Sequence, residues 1–255
     1  GGPHEPNHFG CTQSGFSIKQ QLLEHNQELA RSNQELEQFA HVVSHDLQQP
    51  LQSITGFAKL LLIKYQDQLD ATAMNYLQRI HGSGDRTQRL IQDILSYSKA
   101  GRCNQEKQIV DLNQVLQQVL EHLDTNLNQS QIVYDCGALP KVLGYETQLI
   151  QLFQNLISNA IKFVAPEVMP KIEIAARQKG DWWQLDIHDN GIGIDDQHLD
   201  KVFDMFQRTQ AAARYPGTGI GLATCKKIVA NHGGQLWATS EVGSGTTFHF
   251  TVMGA

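Results

Sequence analysis

Apolar residues recur at every seventh position in the first quarter of the chain. Leu22, Leu29, Leu36 and Val43 follow this spacing, which is typical of helices that dimerise as coiled coils. Counting these residues as heptad position d places six others at position a: Asn26, Asn33, Ala40, Leu47, Ile54 and Leu61. Asparagine at position a favours a two-stranded state at a cost in stability. The pattern predicts a long helix from Ile18 that forms a parallel dimer; the alternative is a polar helix packed on its own chain.

A second apolar pattern predicts an antiparallel partner for this helix. The first helix is expected to break between Lys64 and Leu69, and Asp70 has a side chain suited to cap a new helix. The second helix has apolar residues at spacings of three and four: Met74, Leu77, Ile80, Leu90, Ile94 and Tyr97. One helical hairpin cannot bury both apolar faces, so two hairpins are expected to pair as a homodimeric four-helix bundle.

The remaining sequence predicts an α/β domain after a linker at residues 101–106. Amphipathic helices are expected around Leu112–Leu123 and Leu149–Ile161. Four strand signals follow: KIEIAARQ, WWQLDIHD, QLWATSE and TTFHFTV. The predicted fold class is therefore α+β, with a helical hairpin at residues 18–100 and a two-layer α/β sandwich with a largely antiparallel sheet at 107–255. Residues 1–17 lack periodicity and are expected to be a disordered tail.

Composition narrows the classes of function. Lys plus Arg minus Asp plus Glu gives 20 − 26 = −6, which argues against nucleic acid as a partner. The cysteines Cys11, Cys103, Cys136 and Cys225 are widely spaced, as expected in a reducing compartment and not in a zinc knuckle or a disulfide framework. No apolar run reaches the roughly 18 to 20 residues of a membrane span. We expect a cytoplasmic chain with no membrane segment.

The segment HDLQQPL carries the first candidate chemistry. His45 falls at heptad position f and should face solvent, and Asp46 beside it can hold one ring proton and make the other nitrogen more nucleophilic. A solvated surface histidine is the alternative. A zinc site shared with His41 is disfavoured, because Val42 stands where the H-E-x-x-H zinc motif has glutamate.

Two later segments carry groups suited to a nucleotide. In NLISNAIKF, Asn155 and Asn159 lie one turn apart and offer amide oxygens to a hard cation such as magnesium, while Lys162 offers charge and Phe163 a stacking face. Asp189 begins DNGIGID, and GTGIGL precedes a helix whose N-terminal amides could bind phosphate. The second segment is not a Walker loop, because no Gly-Lys-Ser/Thr follows.

In order and spacing, these segments resemble the catalytic half of two-component sensor histidine kinases, particularly the phytochrome-like bacterial group. The similarity covers roughly residues 18–252. HDLQQPL resembles the phosphoacceptor box, NLISNAIKF the N box, DNGIGID and GTGIGLATCKKIVANHGG the two glycine boxes, and VFDMFQR the phenylalanine box. The resemblance implies a sandwich of the kind shared by histidine kinases, gyrase and chaperone ATPases.

The resemblance also implies an activity and its site. A nitrogen of His45 would attack the γ-phosphorus of ATP with help from Asp46, and the phosphoryl group would pass to an aspartate of a separate response regulator. Lys162 and Arg208 would act on the phosphates, and Asn155 and Asn159 would hold magnesium. The implied nucleotide-binding residues are Asn155, Asn159, Lys162, Phe163, Asp189, Gly191, Gly193, Phe203, Phe206, Gly217, Thr218, Gly219, Gly221 and Leu222, the two phenylalanines also anchoring a mobile lid.

Some positions depart from the family pattern. Gln48 replaces a common arginine, Gln49 leaves phosphatase activity open, Tyr145 replaces a usual aspartate, and residues 211–213 make the lid less charged. Two rival functions remain at this stage. One is a nucleotide-binding scaffold without phosphoryl transfer. The other is an ATP hydrolase, disfavoured because Asn155 stands where such enzymes have a glutamate base, and an amide cannot accept the proton of water.

Overall fold

Two long helices form the N-terminal part of the computed structural model, which describes residues 10–101, 106–124 and 133–255. Helix α1 spans Gly10–Lys64 and helix α2 spans Ala71–Lys99. The predicted cap is present, since the Asp70 carboxylate accepts a hydrogen bond of 2.7 Å from the Ala73 amide. Helix α1 begins at Gly10, so the predicted tail boundary at residue 17 lies inside the helix and was wrong.

Close packing of α1 on α2 depends on a glycine. A Cβ atom on Gly84 would lie 2.1 Å from the Thr55 methyl carbon, so the missing side chain lets the helices approach each other. Ala58 and Ile91 are buried in the same interface. The hairpin therefore forms as predicted, although Leu47, Ile54 and Leu61 at heptad position a remain 41–53% exposed in the single chain.

Several predictions concern residues or side chains that the structure does not describe. These are residues 1–9 of the tail, residues 102–105 of the linker, and the side chains at the early heptad positions: Leu22, Asn26, Leu29, Asn33 and Leu36.

A sheet covered by helices on one face forms the C-terminal domain. The five-stranded sheet has the order β2-β4-β5-β7-β6, with β2 parallel to β4 and the other pairs antiparallel; a separate ribbon pairs β1 with β3. The strands are β1 Gln108–Asp111, β2 Val133–Cys136, β3 Lys141–Gly144, β4 Lys171–Lys179, β5 Trp182–Asp189, β6 Leu236–Glu241 and β7 Gly245–Met253. The helices are α3 Leu112–Asp124, α4 Glu146–Lys162, α5 Asp196–Leu199 and α6 Gly221–Asn231.

Alternation along the strands places the core between the two layers. In β7, Phe248, Phe250 and Val252 are buried, while the residues between them are less so. Helix α4 packs its apolar face on this sheet, and Phe153 meets Phe250 edge to face. The predicted two-layer sandwich is confirmed, and its helices α4 and α6 present the ends that build the site described below.

Candidate functional site

His45 is displayed on the surface of α1. Its side chain is 64% exposed, and its Nδ1 atom lies 3.3 Å from Oδ1 of Asp46. A carboxylate at Nδ1 favours the tautomer that carries the proton there, which leaves the Nε2 lone pair directed away from Asp46. The structure thus agrees with the expected solvent-facing position and pairs the ring with its neighbouring carboxylate.

The later motifs converge on one cavity of about 260 Å³ beside α4 and the start of α6. Twelve of the sequence-predicted site residues line it: Asn155, Asn159, Lys162, Phe163, Asp189, Gly193, Arg208, Gly217, Thr218, Gly219, Gly221 and Leu222. Gly191, Phe203 and Phe206 are not among the lining residues. His45 and Asp46 are also outside the lining, so two separate places in the fold hold the candidate chemistry.

Asp189 closes one end of the cavity from the end of β5. Its Oδ1 atom accepts hydrogen bonds from the Gly191 amide at 2.9 Å and the Thr246 amide at 3.2 Å. Burial raises the pKa of this carboxyl, and the two amide hydrogen bonds oppose that rise. A buried, oriented carboxylate of this kind is suited to accept a hydrogen bond from an amino group such as that of adenine.

Gly191 lies where a side chain would collide with its neighbours. A Cβ atom there would lie 2.6 Å from the Phe163 carbonyl oxygen and 2.7 Å from Oδ1 of Asp189. The glycine therefore lets the loop after β5 pass close to the end of α4, although its own atoms do not line the cavity. Its contribution is to position Asp189 and Phe163.

The opposite part of the cavity carries polar groups from α4. Nδ2 of Asn155 donates to the Gly221 carbonyl at 3.2 Å, which ties α4 to the first turn of α6. Oδ1 of Asn159 accepts a hydrogen bond from Nζ of Lys162 at 3.2 Å. The pKa of Lys162 is lowered to about 8, mainly by burial and also by the like charge of Arg208, while the charge of Asp93 opposes this shift.

These groups fit magnesium in a specific way. The described residues contain no cluster of three or more His, Cys, Asp or Glu side chains that could hold a metal alone. Magnesium, however, is usually held by one or two protein oxygens together with substrate phosphates. Asn155 and Asn159 offer two amide oxygens beside a cation suited to phosphate, so the donor set fits magnesium only when a nucleotide supplies the other oxygens.

The segment between β5 and α6 folds over the cavity. Phe203 is buried and meets Phe248 edge to face, whereas Phe206 is 56% exposed with φ of 62°. Of the two expected anchors, only Phe203 belongs to the core. Phe206 itself adopts the left-handed backbone conformation, and its ring is exposed. Arg208 lines the cavity, but its guanidinium donates to the carbonyls of Ala212 and Tyr215.

Tyr215 fastens this lid and was not singled out from the sequence. Its hydroxyl donates to the Val164 carbonyl at 3.2 Å, and its ring lies edge to face with Phe163 at 5.4 Å. Ten residues that do line the cavity were also missed from the sequence: Asp93, Ser158, Ile192, Ile194, Val202, Gln207, Thr209, Ala212, Thr246 and Phe248. Ile192 and Ile194 alternate with the glycines of DNGIGID and could have been found there, whereas Asp93 lies on α2 with no motif around it.

Tyr145, which replaces a usual aspartate of the family, is not among the residues that line the cavity. It stands at the N-cap of α4, its backbone amide donates to Nε2 of His232 at 3.0 Å, and the two rings lie edge to face.

Comparison with known proteins places both halves of the chain in recognised families. Residues 35–102 match the His Kinase A (phospho-acceptor) domain, and residues 144–254 match the histidine kinase-, DNA gyrase B- and HSP90-like ATPase family. Together these matches include His45 and every residue that lines the cavity. Among the described residues, no helix has the length and apolar character needed to cross a membrane.

Two curated relatives extend the likeness over most of the chain. Cyanobacterial phytochrome A of Nostoc sp. is 43% identical over 88% of this chain and 29% of its own length. The phytochrome-like protein Cph1 of Synechocystis sp. is 38% identical over 91% of this chain and 31% of its own length. The chain therefore spans about a third of these relatives.

Solved structures agree with the sequence comparison. Full-length ShkA, crystallised in complex with AMPPNP, aligns with a TM-score of 0.63 and 26% identity over 86% of this chain and 46% of its own. The two family matches and the similarity to these relatives lead to one assignment: this chain carries the catalytic core of a two-component sensor histidine kinase, similar to that of cyanobacterial phytochromes.

Proposed function

We propose that the cavity binds ATP, that His45 receives its γ-phosphoryl group, and that the phosphoryl group then passes to an aspartate of a separate receiver protein. The observation that carries this proposal is the pairing of an exposed His45 with Asp46, on a chain that also holds a cavity of about 260 Å³ lined by the predicted nucleotide-binding residues. The family matches support ATP as the nucleotide.

The geometry at His45 supplies the nucleophile. With its proton on Nδ1 near Asp46, the ring presents the Nε2 lone pair for in-line attack on the γ-phosphorus. A P–N bond forms, the bond from the γ-phosphorus to the bridging oxygen breaks, and ADP leaves. The phosphorylated ring then carries a proton on Nδ1 and a positive charge. The Asp46 carboxylate stabilises this charge by holding the proton in a hydrogen bond or by accepting it.

The cavity residues have distinct roles toward ATP. Asp189 accepts a hydrogen bond from the adenine amino group, and Phe163 lies beside the base. Lys162 contacts phosphate, and Arg208 can do so once it leaves the lid carbonyls. Asn155 and Asn159 would hold magnesium, which when bound neutralises phosphate charge and thereby favours transfer.

Transfer requires the two sites to meet. His45 does not line the cavity, so the ATP-binding domain must move relative to some copy of α1 before the reaction. The predicted hinge at residues 101–106 lies mostly outside the described residues, and it remains our candidate for the pivot.

The face of α1 around His45 offers a docking surface for a receiver. Ile63 lies eighteen residues after His45, about five full turns, and therefore on the same side of the helix; Leu60 is about 60° away. These side chains are 66% and 59% exposed. These exposed apolar groups lie on the same side of α1 as the phosphoacceptor, roughly 20–30 Å along the helix from it, and suit a partner large enough to cover both.

The opposite face of α1 suits a second copy of the chain. Leu47, Ile54 and Leu61 lie roughly 160–200° around the helix from His45 and are all at least 41% exposed. A shared apolar face at heptad position a is the pattern of a symmetric helical dimer. We propose a homodimer in which the two hairpins bury this face as a four-helix bundle.

Labelling with γ-³²P-ATP and magnesium tests the proposed reaction. We expect protein-bound label that is stable in alkali and lost in acid, as expected of a phosphoramidate. His45→Gln and Asn159→Ala should each abolish the label. His81→Gln is the matched control, because His81 also pairs with a carboxylate, Asp85 at 3.2 Å, but lies on α2; this variant should keep the label.

The rival functions give different results in the same assay. Free phosphate released without protein label would indicate an ATP hydrolase. ATP binding with neither product would indicate a scaffold. Transfer to an aspartate would be followed by adding purified receiver domains to the labelled chain, where loss of label from the kinase with gain on a receiver is the expected result.

A further inference from the structure

A carboxylate from the helical hairpin enters the nucleotide cavity. Asp93 of α2 lines the cavity together with Lys162, Arg208 and Thr218. Its Oδ2 atom accepts a hydrogen bond from the Thr218 hydroxyl, in the glycine segment GTGIGL that precedes α6. An acidic side chain therefore occupies a part of the cavity whose other polar groups are suited to phosphate.

A broader contact between α2 and the ATP-binding domain holds this carboxylate in place. Nζ of Lys227 donates to the Tyr97 carbonyl at 3.1 Å and lies 4.5 Å from the centre of the Tyr97 ring. The carbonyl of Ala100 accepts hydrogen bonds from Gln148 at 3.2 Å and from Asn231. Asp93, Tyr97 and Ala100 are spaced by four and three residues, so they lie on one face of α2.

The charges explain why Asp93 is tolerated there. Lys162 is largely buried and lies near the like charge of Arg208, both of which disfavour its protonated form, and Asp93 acts in the opposite direction. Asp93 thus supplies negative charge to a cationic site in the absence of nucleotide. Triphosphate would bring much more negative charge to the same groups, and it would be repelled by a carboxylate in the same cavity.

We propose that Asp93 substitutes for the nucleotide phosphates in the resting chain, so that ATP binding displaces it and loosens α2 from the ATP-binding domain. This inference rests on the proposed nucleotide site. Because binding linkage is reciprocal, the hairpin contact weakens ATP binding by the same factor by which ATP weakens the contact. A change in the hairpin that withdraws α2 would therefore raise ATP affinity, and ATP would free the domain for its movement toward His45.

The variant Asp93→Asn tests the negative charge of Asp93 separately from its hydrogen bond. The asparagine oxygen can still accept the Thr218 hydrogen bond, while the negative charge is lost. Binding of ATP, ADP and adenosine is measured by titration calorimetry without added magnesium. We expect ATP to bind at least about fivefold more tightly to the variant, the low end of typical coupling between sites, with a smaller gain for ADP and none for adenosine.

Asp85→Asn is the matched control, since it makes the same change on α2 at a carboxylate outside the cavity. It should leave all three affinities unchanged. Asp93→Ala, which also removes the Thr218 contact, should raise ATP affinity at least as much as Asp93→Asn. Hydrogen exchange on the wild-type chain should show faster exchange around Tyr97–Ala100 when a non-hydrolysable ATP analogue is added.

Each result separates this inference from the proposed function. Equal ATP affinity in wild type and Asp93→Asn would overturn the inference while leaving the nucleotide site intact. Weaker ATP binding to the variant would also overturn it, because Asp93 would then assist the nucleotide. An equal gain for adenosine would mean that the substitution acts on the fold and not on the phosphates. If the wild-type chain binds no ATP, the proposed function fails and this inference fails with it.

Discussion

At the scale of single residues, the protonation of Lys162 should make the affinity for ATP depend on pH. Burial lowers its pKa to about 8, so it loses its proton as the pH rises through that value. Bound phosphates stabilise the protonated form, which means that ATP affinity should fall with rising pH, by up to about tenfold per pH unit above the pKa of the free site. We predict that this loss begins near pH 8 and continues toward about pH 9 in ATP titrations.

Lys162→Arg provides the control for that prediction, because arginine stays protonated throughout this range. The slope of ATP affinity against pH should flatten in the variant, whatever its absolute affinity. Equal slopes in the two proteins would show that another group sets the pH dependence.

Residue identities were predictable from sequence where a motif surrounds them. His45, Asp189 and the asparagines of NLISNAIKF stand in local patterns whose chemistry can be interpreted without a fold. Asp93 and Tyr215 could not be found this way, because each reaches the site only through packing of distant segments, α2 on α6 and the lid on the end of α4. Phe206 was expected to anchor the lid, and its positive φ turns it outward instead.

At the scale of elements, the hairpin depends on the close approach at Gly84. Gly84→Ala would place a methyl carbon 2.1 Å from Thr55 Cγ2, and such overpacking typically costs about 1–3 kcal/mol. We predict a loss of this size in the free energy of unfolding from urea denaturation. The double variant Gly84→Ala with Thr55→Ser should recover part of the loss, since serine lacks the methyl group that collides.

Gly82→Ala is the matched control on the same helix. Its Cβ would meet only the flexible end of Arg86 at 3.6 Å, an ordinary contact. Replacing glycine by alanine in a helix should then stabilise the protein by up to about 1 kcal/mol. Destabilisation by both single variants to the same extent would contradict the packing explanation.

Elements were predictable in proportion to their length and periodicity. The long helices and the four strands with clear alternation, β4 to β7, were expected from the sequence. Strands β1, β2 and β3 have four residues each, too few for an alternating pattern to stand out. The start of α1 at Gly10 was missed because residues 10–17 have no apolar repeat. A helix can continue past the end of its apolar repeat, so the repeat did not mark where α1 begins.

At the scale of the whole molecule, the exposed heptad face of α1 predicts a dimer. Light scattering should report a dimer. Ile54→Glu, which puts a charge on the exposed heptad face, should shift the equilibrium to monomer. Ile63→Glu adds the same charge on the side of His45 and should leave the dimer intact. A monomeric wild type, or equal effects of the two variants, would contradict the proposed four-helix bundle.

The central claim is that a nucleotide held by the second domain delivers its terminal phosphoryl group to one histidine on the first. The most direct measurement is mass-spectrometric mapping of the phosphorylated residue after incubation with ATP and magnesium, under neutral to alkaline conditions that preserve phosphohistidine. The account predicts phosphate on His45 alone, and none at His41 or His81. Phosphate at another residue, or an unmodified His45 in a chain that binds ATP, would contradict it.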